Sequence, residues 1–102
     1  MHPSDVDLRS GRVTQWQLDS LNANAPLDSQ LDVLTEDLAQ IEFGNGSLVD
    51  VGWYPECSRD GSFIVVAVRA SDWDSPIFKA TCTSMAELRT SIQAAVQAAM
   101  SS

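Results

Sequence analysis

Apolar residues recur at helical spacing near both ends of the chain and alternate with polar residues in between. In Val13-Thr14-Gln15-Trp16-Gln17-Leu18, Thr14 with Gln17 fits a capping box and Val13 with Leu18 fits a hydrophobic staple. This predicts a short helix over 15–21, ended by Asn22-Ala23-Asn24-Ala25-Pro26. Leu31, Leu34 and Leu38 then fall three and four residues apart and predict a second helix from Asp28 or Ser29. Asp28 and Asp32 lie near its positive N-terminal end, where anions are stabilising.

From Ala39 the period becomes that of a strand: Ala39, Ile41 and Phe43 alternate with Gln40 and Glu42. Gly44-Asn45-Gly46 is a hairpin signal, because Asn-Gly tolerates positive φ angles. The return strand is expected over 48–54, with Val49, Val51 and Trp53 on one face and Asp50, Gly52 and Tyr54 on the other. Pro55 stops the pairing. Residues 62–70 contain Phe63-Ile64-Val65-Val66-Ala67-Val68, apolar on both faces, and are expected as the central strand. Ser71-Asp72-Trp73-Asp74-Ser75-Pro76 reads as a loop and 77–82 as a fourth strand. Ser84 and Glu87 form another capping box, followed by the helical stripe Leu88, Ile92, Ala95, Val96 and Ala99, with Gln93 on the exposed side.

These elements predict an α+β fold: an antiparallel meander of three to four strands, two N-terminal helices and one C-terminal helix packed on one face. Tyr54, Phe63, Val65 and Ile77 are expected on the less covered face. Residues 1–12 have no period and are expected as a flexible N-terminal arm, with 13–102 as a single domain.

Charge narrows the function. The 102 residues carry 14 acids and 6 bases, a net charge of −8. That field repels nucleic acid and anionic membranes, so neither is an expected partner, and it speeds encounters with basic proteins. No apolar run approaches the ~18 residues of a membrane span. The first residues are acidic rather than signal-like, so the cytoplasm is the expected compartment. Both cysteines, Cys57 and Cys82, are then expected as free thiols. With one histidine, His2, and no ligand spacing, no metal or other cofactor is expected.

Catalytic signatures are not found. There is no G-x-S-x-G elbow and no glycine-rich phosphate loop with its lysine. Arg59, Arg69, Lys79 and Arg89 are scattered among acids instead of forming a basic stripe. Trp53 continues the Val49–Val51 face and is expected in the core. Trp73 stands in a loop between Asp72 and Asp74, where burial is harder to arrange. Gly52, inside a strand, marks a bulge or room for another side chain to lie across it.

The run Asn45-Gly46-x-Leu48-Val49-Asp50-Val51-Gly52-Trp53-Tyr54-Pro55-Glu56, with Asp60-Gly61-x-Phe63 and Asp72-Trp73-x-x-Pro76, resembles small bacterial immunity proteins of polymorphic and contact-dependent toxin systems. The resemblance covers residues 38–92. It implies a non-catalytic protein that neutralises a cognate toxin domain, often a nuclease, by binding it. An adaptor or subunit of another complex shares the same bulk features, and a small enzyme is the third reading. In a meander, the 44–46 turn and the 72–76 loop share one end of the sheet. The expected partner-binding set is therefore Glu42, Asp50, Asp72 and Asp74 around Trp73, an aromatic anchor within an acidic rim.

Overall fold

The Asn45-Gly46 turn organises the sheet. Gly46 takes a φ of +88°, which glycine adopts at no steric cost. The Gly46 amide donates to the Phe43 carbonyl at 3.1 Å and the Phe43 amide to the Ser47 carbonyl at 3.0 Å. Asn45 Oδ1 accepts from the Ser47 amide at 2.9 Å, an Asx contact that fixes the turn. In the computed structural model, which describes residues 1–70 and 72–101, this turn joins β2 (Ala39–Glu42) to β3 (Ser47–Tyr54). Ser71, assigned above to a loop, and Ser102, the predicted domain end, lie outside the described residues.

β4 (Ser62–Arg69), β5 (Phe78–Cys82) and the helix α1 (Met85–Ser101) follow. The sheet is an antiparallel meander as expected, but it has five strands, in the order β1-β2-β3-β4-β5. The fifth is β1 (Arg12–Trp16), which pairs with β2 across a register shift between Val13 and Gln15. The helix expected over 15–21 is therefore corrected. Val13, Thr14 and Trp16 have strand-favouring side chains, and the free edge of β2 supplies a ladder that a lone short helix lacks. Only Leu18–Ser20 remains helical, as a single 3-10 turn.

The second expected helix is also corrected: Leu27–Ser29 and Leu31–Val33 are separate 3-10 turns. Asp28, Ser29 and Asp32 favour turns, and the stretch is shorter than a self-sustaining helix. The leucine spacing did mark burial, since Leu34 and Leu38 are fully buried. β4 lies inside the sheet, and β3 is the middle strand.

Packing of α1 on β3, β4 and β5 defines the core face. Ser84 starts the helix as expected: its Oγ accepts from the Glu87 amide at 3.2 Å and donates to Glu87 Oε1 at 3.0 Å. Leu88, Ile92, Ala95, Val96 and Ala99 are fully buried in one cluster with Ile41, Val49, Val51, Phe63 and Val65. Trp53 belongs to this core, edge-on to Phe63 with ring centroids 4.9 Å apart, and its indole N–H donates to the Ser58 carbonyl at 2.8 Å.

Phe63 and Val65 thus lie under the helix, not on the less covered face. Trp53 pairs with Phe63 and Val51 with Val65, and directly opposed residues share a face. Ile64 and Val66 take the other side. The 63–68 run is apolar on both sides, so alternation alone does not assign its faces.

Of residues 1–12, expected as a flexible arm, Arg12 opens β1 and the residues before it are held against α1. Val6 is buried in the core cluster. The Gln93 side chain accepts from the Asp7 amide and donates to the Asp7 carbonyl, both at 2.9 Å, so Gln93 is a clamp instead of a solvated position. Arg89 Nε donates to the Asp5 carbonyl at 3.0 Å. Cys57 and Cys82 are free thiols, the first exposed and the second buried.

Candidate functional site

The sheet face opposite α1 is where exposed chemistry collects. Asp50 in β3 pairs with Val66 in β4, which pairs with Lys79 in β5, so one cross-strand row reads acid, apolar, base. Tyr54 and Ile64 lie farther along on the same face, and the loop after β4 brings Trp73 over them. These six residues line a shallow depression of about 200 Å³. Trp73 is 49% exposed and Tyr54 36% exposed, both large for aromatic side chains. Ile64 and Val66 are half-buried and form the floor.

The loop is positioned by backbone bonds at both ends. The Asp72 amide donates to the Arg69 carbonyl at 2.9 Å, and the Ile77 amide to the Ala67 carbonyl at 2.8 Å. The Ala70 amide donates to the Gly46 carbonyl at 2.9 Å, so the loop and the β2–β3 turn do share one end of the sheet.

The segment before β2 lies against β3 on this same face. The Leu38 amide donates to the Val51 carbonyl and the Trp53 amide to the Thr35 carbonyl, which leaves Glu36 arched over Gly52. A Cβ at Gly52 would collide with the Glu36 carbonyl oxygen and lie 2.7 Å from the Tyr54 ring. Glycine is needed here for close approach, but it is the Glu36 backbone, not the expected side chain, that lies across it. The Tyr54 hydroxyl donates to that same Glu36 carbonyl at 3.4 Å.

The arch brings Asp37 near Asp50 and Glu36 near Tyr54. Burial pushes the Asp50 carboxyl above its usual range, a Gln40 hydrogen bond opposes this, and the Asp37 charge adds to it. Tyr54 is raised chiefly by burial and then by Asp50, Glu36 and Asp37. Asp37 also lines a neighbouring groove of about 430 Å³ with Asp32 and Glu56, and no base lines that groove.

Of the residues expected to bind a partner, the structure brings Trp73 and Asp50 together. Glu42 shares their face but is paired with Arg12 at 3.2 Å on the far side of β2. Asp72 and Asp74 are exposed on the loop and do not line the depression. Tyr54, Ile64, Val66 and Lys79 were missed as a set. Their common face follows from the β3–β4 and β4–β5 registers, which the sequence implies only once the face of β4 is known. Glu36 and Asp37 do not stand out in the sequence, because the leucine spacing places their segment in a helix.

The arrangement supplies contact chemistry: two aromatic faces, an apolar floor and a half-buried carboxylate. Among the described residues, no group of three or more His, Cys, Asp or Glu residues is arranged to hold a metal ion. None of their helices is long and apolar enough to cross a membrane. No family model, curated protein or solved structure matches the chain.

Proposed function

We propose that this chain is an immunity protein that binds a basic bacterial toxin domain, a nuclease in the simplest case, and neutralises it through the open sheet face. The observation that carries the reading is that the exposed aromatics Trp73 and Tyr54 line one depression with Asp50 on the sheet face opposite α1. Exposed aromatics beside charge are the usual anchors of protein interfaces. The net charge of −8 supports a basic partner. So does the resemblance of residues 38–92 to bacterial immunity proteins. The reading goes with a cytoplasmic protein that acts by occupancy, without a cofactor.

The test is calorimetric titration against the toxin domain encoded beside its gene. Tight binding is expected, and Trp73→Ala should weaken it by more than about 2 kcal/mol while leaving the melting temperature near wild type. Absence of such a toxin, or a Trp73→Ala variant that binds it like wild type, overturns the reading.

A further inference from the structure

We propose that the depression between Trp73, Tyr54 and Asp50 seats a single arginine side chain of the partner. The inference rests on the open face being the interface. Its size selects a side chain: about 200 Å³ lies below the ~300–1,000 Å³ of small-molecule pockets. Its chemistry selects a cation. Among the described residues the ion pairs are Arg9–Asp7 and Arg12–Glu42, so Asp50 is left without one, although Lys79 stands on the same cross-strand row. Asp37 reinforces the negative potential at Asp50, and Glu36 and Asp37 reinforce it at Tyr54. The aromatic rings of Trp73 and Tyr54 line the depression, and the electron-rich faces of such rings attract a cation within about 6 Å.

Arginine fits better than lysine. A planar guanidinium stacks on an indole while its edge donates paired hydrogen bonds to a carboxylate. Its methylene stem covers the Ile64–Val66 floor. An ammonium is more strongly hydrated and lacks the fork. Lys79 at the rim opposes any incoming cation, so removing its charge should strengthen binding, a sign that general loosening of the fold does not produce.

The experiment is an amide-proton NMR titration of the full chain with N-acetyl-arginine amide. The controls are the neutral citrulline analogue and the lysine analogue. Saturable shifts are expected at the Trp73 indole and at the Asp50 and Val66 amides, absent with citrulline and weaker with lysine. Asp50→Asn and Trp73→Ala should each weaken binding about fivefold, and Lys79→Gln should tighten it. The same spectra show whether each variant is folded. Absence of saturable shifts in this region, citrulline matching arginine, or lysine binding more tightly overturns the inference. If arginine fails while toxin binding still depends on Trp73, the seat is wrong and the proposed function stands. If arginine binds as expected but the toxin does not, the seat stands and the function falls.

Discussion

At the residue scale, Asp50 is the group whose structural and functional demands oppose each other. Its carboxyl is held above the usual range mainly by burial, so the folded protein binds its proton more tightly than the unfolded chain does. Between the ordinary value of 3.8 and the raised native value, the unfolded state has released that proton while the native state still holds it. Stability from this group is therefore full at low pH and falls as pH rises from 3.8 through the raised native value. Asp50→Asn should flatten that part of the stability–pH curve and make the protein more stable at neutral pH, while weakening its binding to a cationic partner. Urea unfolding at a series of pH values reads the first effect. A variant that is less stable than wild type at pH 7 would contradict the account.

At the element scale, the arch over Gly52 and the clamp at Gln93 hold irregular chain against regular chain. Gly52→Ala forces the Glu36 carbonyl away from β3 and disturbs Tyr54, and should cost about 1–3 kcal/mol, an overpacking penalty. Urea midpoints measure it, and an unchanged midpoint would mean that the arch is not packed against the strand. Ile92→Ala removes a fully buried side chain and should cost about 2–5 kcal/mol. Gln93→Ala should cost only about 0.5–1.5 kcal/mol but speed amide exchange of Asp7, because two hydrogen bonds to its backbone are lost. Equal exchange in wild type and variant would show that the clamp does not hold the N-terminal residues. The same elements show what the sequence made legible. Four strands, the hairpin turn, the Ser84 cap and the core role of Trp53 follow from alternation and capping chemistry, which are local. β1 and the 3-10 turns at Leu27–Ser29 and Leu31–Val33 do not, because tertiary pairing and burial overrode a local capping pattern and a leucine spacing. In the candidate site, Trp73 and Asp50 stood out as loop aromatic and strand acid. Tyr54, Ile64 and Val66 join them only through cross-strand register.

At the scale of the whole molecule, the acids act as a field more than as stabilising pairs. Among the described residues the ion pairs are Arg9–Asp7 at 3.8 Å and Arg12–Glu42 at 3.2 Å, both between substantially exposed side chains. Exposed pairs of this kind contribute about 0–1 kcal/mol. Salt therefore screens little attraction inside the fold and relieves the self-repulsion of a net charge of −8. Raising salt from about 0.05 M to about 0.5 M, which shortens the screening length about threefold, should leave the melting temperature unchanged or raise it. The same change should slow association with a basic toxin domain by about tenfold or more, since steering is what screening removes. The two kinds of site residue then separate kinetically. Asp72 and Asp74 are exposed on the loop and outside the depression, so Asp72→Asn with Asp74→Asn should lower the association rate and its salt slope with dissociation nearly unchanged. Trp73 lines the depression, so Trp73→Ala should act mainly by speeding dissociation. Binding kinetics across the salt series measure both, and an association rate that is indifferent to salt would remove the electrostatic half of the proposed interface.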